Sequence, residues 1–153
     1  MAEITKGQIA KNLFLEGYNC CQAVAGAFAD EMGLELSTVA KLCSPFGGGI
    51  GRMREVCGAV SGMMFVLGML YGYDDPKANS EKKRVYSEAQ QLAERFKEDN
   101  GSIICRELLG LTKNSENSPT PSPRTETDYK KRPCPELCRY AADLLEEFIE
   151  KHK

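Results

Sequence analysis

Seven cysteines, at positions 20, 21, 43, 57, 105, 134 and 138, are set against a single histidine, His152. An odd number of thiols cannot close into a fully paired disulfide framework. The opening segment, MAEITKGQIAKNLF, is polar and amphipathic and lacks the apolar run of a secretory signal. We therefore expect a cytoplasmic, reducing setting, where structural disulfides are disfavoured. The chain must then fold around a hydrophobic core, and its 153 residues are enough to build one.

The lone histidine narrows the chemistry. It argues against His-based acid–base catalysis, a Cys–His nucleophile pair and a mixed Cys/His zinc site. No catalytic residue is assigned, and whether the chain is an enzyme is left open. There is no C-x-x-C pair, so zinc ribbons and thioredoxin-like sites lack support, and no C-x-x-C-H for covalent haem. The net charge is −2, with Lys and Arg interleaved among Glu and Asp. That pattern describes solvated helix faces and gives no basic surface for nucleic acid. The most apolar stretch, Val56 to Tyr71, spans 16 residues and is interrupted by Gly58, Gly62 and Gly68. A bilayer span takes roughly 20 apolar residues, so this reads as a core helix and no membrane insertion is expected.

Hydrophobic periodicity is helical throughout. Thr5 and Gln8 have capping-box spacing before a helix ending at Gly17. Asn19 and Gln22 repeat that spacing before a helix carrying Val24, Phe28 and Met32 on one face and ending at Gly33. Ser37 is expected to cap a short helix containing Cys43. A fourth helix is expected from about Arg54 or Glu55 to Tyr71. Ser80 is expected to cap a helix to Asn100 with Val85, Ala89, Leu92, Ala93 and Phe96 inward, and CRELL suggests another short turn. The last helix starts at Cys134-Pro135, with Leu137, Ala141, Leu144, Leu145 and Phe148 as its stripe. The expectation is all-α: one domain over 1–153, a bundle of about six to seven helices without significant β-sheet. Residues 112–133, rich in Ser, Thr, Lys and Pro, read as a polar, mobile insert within it.

Four thiols share a context. Cys20 follows the cap residue Asn19, Cys57 lies in the first turn of the glycine-rich helix, Cys105 opens CRELLG, and Cys134 precedes Pro135. Helix N-termini carry unsatisfied N–H groups and a partial positive charge, which favour thiolate over thiol. Packing is the plainer alternative, since free cysteine behaves as a small hydrophobe. Cys43 lies on an apolar face and reads as core, whereas Cys21 and Cys138 are ambiguous. The loop FGGGIGRM, with Arg52 and Arg54, has three readings: an anion cradle, a tight turn, or a shield near Cys57.

The segments GYNC (17–20), FGGGIGR (46–52), CGAVSG (57–62), GSIICRELLG (101–110) and CPEL (134–137) together resemble the redox-active C_GCAxxG_C_C family, in order and over nearly the whole chain. The resemblance implies that Cys20, Cys57, Cys105 and Cys134 are the shared cysteines and that Cys21, Cys43 and Cys138 are additional. The family is related to part of the split-Soret cytochromes, where a cysteine-ligated iron–sulfur centre accompanies haem. It therefore implies iron–sulfur rather than zinc, with only the non-haem part carrying over.

The leading expectation is an electron-transfer or redox-sensing protein with one iron–sulfur cluster, most simply [2Fe–2S], on Cys20, Cys57, Cys105 and Cys134. Gly58 and Gly62 would allow close packing beside it. One alternative is a dithiol/disulfide protein using Cys20/Cys21 or Cys134/Cys138. Another is a non-enzymatic helical module with structural zinc or with core cysteines alone. A redox protein partner follows from the leading reading, and small-residue helix faces are compatible with a homodimer.

Overall fold

Asn19 begins the helix around which the others are arranged. Its side chain accepts the Gln22 N–H at 2.9 Å, and the Gln22 side chain accepts the Asn19 N–H at 2.9 Å. The first turn is thus closed from both ends. The computed structural model describes residues 4–110, 118–120 and 133–153. Within them the helices are α1 (Lys6–Glu16), α2 (Cys20–Gly26), α3 (Ala29–Met32), α4 (Leu36–Cys43), α5 (Gly58–Tyr71), α6 (Asn79–Asn100), α7 (Cys105–Leu108) and α8 (Cys134–Lys151). A 3-10 turn, Ser44–Phe46, follows α4. Among the described residues there is no sheet, and β pairing is limited to one antiparallel bridge between Val56 and Ile104. The all-α expectation holds.

Several boundaries differ from the sequence reading, each for a local reason. The helix expected from Asn19 to Met32 is broken at Ala27–Phe28. There the Phe28 N–H turns to the Ala25 carbonyl at 3.0 Å, and its ψ of 15° swings the ring into the core, where it is 1% exposed. Glu35 and Ala78, not Ser37 and Ser80, occupy the N-cap positions of α4 and α6, and neither makes a side-chain cap. α5 starts at Gly58 rather than near Arg54, because the carbonyls of Arg54 and Glu55, which an earlier start would use within the helix, accept the Arg106 N–H at 3.2 Å and the Cys105 N–H at 2.6 Å. Thr5 caps α1 as its spacing predicts, accepting the Gln8 N–H at 3.1 Å. Of the polar stretch 112–133, all but 118–120 and 133 lies outside the described residues.

α2 and α5 form the centre. α2 packs on α1, α4, α5 and α8, and α5 packs on α2, α6 and α8. α1 and α8 run in opposite directions, since the Gly7 N–H meets Asp143 and the Lys11 ammonium meets Glu136. The core is closed by Val24, Phe28, Val39, Met63, Val66, Leu67, Phe96 and Leu145, all fully buried. In α6 the inward stripe narrows to Leu92 and Phe96. Val85, Ala89 and Ala93 are half-buried, and Glu88 is inside. Glu88 is held there by Arg84 at 2.6 Å and His152 at 2.7 Å.

Glycine lets the two central helices meet. A Cβ on Gly62 would stand 2.8 Å from the Val24 Cβ and 3.1 Å from the Cys21 carbonyl oxygen. A Cβ on Gly68, in the same helix, would meet nothing within 4 Å. Gly→Ala inside a helix gains about 1 kcal/mol of propensity, while overpacking a core costs about 1–3 kcal/mol. Gly68→Ala should therefore raise stability in urea melts by about 0.5–1 kcal/mol, and Gly62→Ala should lower it by about 1–2 kcal/mol. Equal effects at the two positions would contradict this account of the helix contact.

Candidate functional site

Four helix starts supply the thiols picked out in the sequence. Cys20 is the first residue of α2, Cys57 is the N-cap of α5, Cys105 is the first residue of α7 and Cys134 is the first residue of α8. Two are adjusted by one position from the sequence reading. Cys57 precedes its helix instead of lying inside the first turn, and Cys134 is within α8 because Pro133 takes the cap.

Backbone contacts bring these starts together. A short antiparallel crossing joins the strand before α5 to the strand before α7. In it the Cys57 N–H donates to Ile103 at 2.7 Å and the Cys105 N–H to Glu55 at 2.6 Å. Ser102 braces the second segment by accepting the Ile104 N–H at 2.9 Å and donating to Glu107 at 2.6 Å. On the other side Gly58 sits against α2, and a Cβ there would lie 2.9 Å from the Cys20 Cβ and 3.0 Å from the Cys21 nitrogen. Gly58 and Gly62 thus serve close helix approach, as their spacing suggests.

Cys20 lies within thiol hydrogen-bonding reach of both Cys134 and Cys138, and it feels the charge of Cys57. Cys57 in turn feels Cys134 and Cys105. The four predicted thiols are therefore one neighbourhood. Cys57 and Cys105 are its buried members, and Cys20 and Cys134 its partly exposed edge. Cys138 joins from inside, fully buried, with its S–H directed to the Cys20 carbonyl at 4.0 Å. Among the described residues, no three or more Cys, His, Asp or Glu side chains form a group able to hold a metal ion.

The surroundings act on sulfur charge in opposing ways. The Cys134 hydrogen bond draws the Cys20 pKa down, but the Cys138 hydrogen bond, burial and neighbouring thiol charges outweigh it and leave Cys20 well above its ordinary value. Burial pushes the Cys57 thiol up to about 12. The sulfur closes no conventional side-chain cap, yet the N–H groups of Ala59 and Val60 bear on it and limit the rise. The Arg54 guanidinium, 4% exposed, donates to the Cys105 sulfur at 3.7 Å.

The glycine-rich loop explains how that arginine arrives. Residues 48 to 52 all have positive φ, from 55° to 72°, and Arg54 has φ 63°. Glycine adopts this region freely, whereas Ile50, Arg52 and Arg54 do so at a cost. The turn doubles the chain back so that Gly49 faces Cys105, where a Cβ would come within 2.7 Å of the Cys105 Cβ. Arg52 is directed elsewhere, donating to the carbonyls of Ser118, at 2.7 Å, and Thr120. The two arginines thus do not converge on one anion pocket, and the turn and shield readings describe the loop better.

The remaining thiols are distributed in a way the sequence did not indicate. Cys21 and Cys43 are both fully buried in the core, on α2 and on α4, which pack together. Periodicity contained a partial signal: Cys21 is in register with Val24 and Phe28, and Cys138 with Ala141 and Leu145, on buried faces.

The described helices thus gather several thiols in one place, with N–H groups and a buried arginine beside them. A family model described as "Putative redox-active protein (C_GCAxxG_C_C)" matches residues 18–148, and the chain belongs to that family. No curated protein and no solved structure matches it. Among the described residues, no helix is long and apolar enough to cross a membrane.

The raised Cys57 pKa sets a pH dependence for the metal-free protein. Unfolded thiols ionise at roughly pH 8.5, while folded Cys57 keeps its proton until about 12. Its contribution to stability is thus fully present below the unfolded value and is lost as pH rises toward the folded one. Urea melts at about pH 7.5 and about pH 10 should show the loss, and Cys57→Ala should reduce it. A pH-independent difference between the two proteins would contradict the assignment.

Proposed function

We propose that this protein transfers single electrons, or senses redox state, through one iron–sulfur cluster held by Cys20, Cys57, Cys105 and Cys134, most simply [2Fe–2S]. The observation that carries this reading is the convergence of four helix-start thiols on one neighbourhood with a buried arginine at its wall. Membership of a redox-active family supports it. The donor set has the right chemistry. It is all sulfur, which suits iron–sulfur ligation, and N–H groups beside the sulfurs are the features that adjust cluster potential. Among the described residues the side chains form no ready metal-holding group, so the choice of cluster over structural zinc rests on the all-sulfur donor set and on the redox-active family.

When bound, such a cluster accepts and returns one electron. The chain's own part is to hold and shield it. The first-turn N–H groups of α5 and the Arg54 guanidinium face the sulfurs and favour anionic charge there. In the metal-free protein Cys20 and Cys57 are kept protonated by burial and neighbouring thiols, so loading releases protons there and should weaken at low pH. Cys57 and Cys105 are covered by the crossing and the glycine turn. Electrons therefore enter on the Cys20 and Cys134 side, where a partner protein docks. Cys134 is the better fourth ligand than Cys138, since it neighbours both Cys20 and Cys57.

A second reading has its own observation. Cys20 touches Cys134 and Cys138, which suits a dithiol between α2 and α8 in place of the sequence-adjacent pairs. The two readings separate on anaerobic purification. The cluster reading expects iron and acid-labile sulfide in similar amounts, with broad absorption near about 400 nm that dithionite bleaches. Cys57→Ser should lose most of the iron and sulfide, whereas Cys138→Ser should keep them. Iron-free protein that stays iron-free after reconstitution, with two thiols lost on oxidation, would favour the dithiol.

A further inference from the structure

His152 is the chain's single histidine, and both of its ring nitrogens face oxygen. Nδ1 lies 2.9 Å from the Phe148 carbonyl and Nε2 lies 2.7 Å from the Glu88 carboxylate. A peptide carbonyl has no proton to give, and the Glu88 carboxylate, held by Arg84 at 2.6 Å, acts as an acceptor. A neutral imidazole carries one N–H and one lone pair. Either neutral form would set that lone pair against an oxygen, so only the doubly protonated ring makes both bonds. The backbone prepares the place. The His152 N–H turns to the Ile149 carbonyl at 3.0 Å, and the ring takes the Phe148 carbonyl that a continued helix would have used. A cation there also meets the negative end of α8. The rings of Phe148 and Tyr71 flank the imidazole, with centroids 4.0 Å and 5.2 Å away. Glu88 is buried, whereas the His152 side chain is 34% exposed and exchanges protons with water directly.

We propose that His152 is a proton-operated latch, which as the imidazolium fastens the last turn of α8 to α6 and on giving one ring proton to solvent lets that turn go. The inference does not rest on the cluster, and His152 stands at the opposite end of α8 from Cys134. The titratable and charged groups around the ring come from several elements. α6 brings Glu88, Arg84 and the second partner of Arg84, Glu81; α5 brings Tyr71; α8 brings the pairs Glu147–Lys151 and Glu150–Lys153. Glu31 of α3 pairs with Lys6 of α1 and bears on Lys153, while α2 carries no charged side chain. Of these side-chain types histidine alone ordinarily changes charge between about pH 5 and 8. The latch is therefore closed on the acid side and opens as pH rises. Opening is local. Arg84 keeps its bonds to Glu88 and, at 2.6 Å, to the Tyr71 carbonyl, so α5 and α6 stay joined and the end of α8 alone is released.

The test uses the full chain labelled with nitrogen-15, in which a single histidine makes the ring signals unambiguous. At about pH 6 both ring nitrogens should show the nitrogen shift of a hydrogen-bonded N–H, and at about pH 8.5 one of them should not. Amide hydrogen exchange, corrected for its intrinsic rate, should find the last turn of α8 several-fold less protected at the higher pH, with the middle of α8 unchanged. His152→Gln should remove that difference. Glu88→Gln is the second variant, because its amide is able to donate to a neutral ring; it should make the protection of the last turn independent of pH. In urea melts the stability gap between the unaltered protein and His152→Gln should be larger at about pH 6 than at about pH 8.5. The Cys57 contribution is common to both proteins and cancels. A ring with a single N–H at about pH 6, or the same pH-dependent loss of protection in His152→Gln as in the unaltered protein, would overturn the proposal.

Discussion

α5 meets α2 through two glycines that bring no side chain of their own, and the arrangement of sulfur follows from that contact. Gly58 places the start of α5 against Cys20 and the Cys21 backbone, and Gly62 keeps the helices close one turn later at Val24. Because Cys57 immediately precedes Gly58, the contact sets the Cys57 sulfur beside the α2 start. A side chain at either glycine would push the helices apart and move Cys57 away from the α2 start. The glycines therefore set the placement of the thiols, at the cost of helix propensity within α5.

A second device brings the other two thiols in. The crossing between 54–57 and 103–106 satisfies backbone groups that a longer α5 would have used internally. In exchange it fixes Cys105 against Cys57. The left-handed turn over 48–52 feeds that crossing, and Gly49 gives Cys105 room. α8 contributes Cys134 from the outside, anchored far from the site by Asp143 on the Gly7 N–H and by its packed stripe on α1. The centre is thus assembled from segments that no local sequence window contains.

This division explains what was legible beforehand. The capping box at Asn19, the glycine stops at 17, 33 and 101 and the stripe of α8 are local signals, and they read correctly, while at Thr5 only the N-cap half of the expected box forms, the Gln8 side chain turning to Asn12. The break at Phe28 was hidden because Ala27 and Phe28 carry no turn chemistry; core packing of the ring decides it. The late start of α5 was hidden because its cause lies some fifty residues away, at Ile103 and Glu55's partner Cys105. The four helix-start cysteines were readable one by one from cap positions. Their convergence depends on helix contacts that no spacing rule encodes.

Charge gives the clearest contrast within the interior. The buried charged side chains among the described residues are Glu88 and Arg54. Glu88 is matched by Arg84 and His152, an ordinary ionic cluster where α6 meets the end of α8. Arg54 has a sulfur among its partners, the Cys105 thiol at 3.7 Å. A guanidinium is costly to bury unless its N–H groups are met, and the left-handed turn over 48–52 is what carries it to that place. The first-turn N–H groups of α5 bear on the neighbouring Cys57 sulfur, so two separate parts of the backbone bring positive charge to adjacent buried sulfurs.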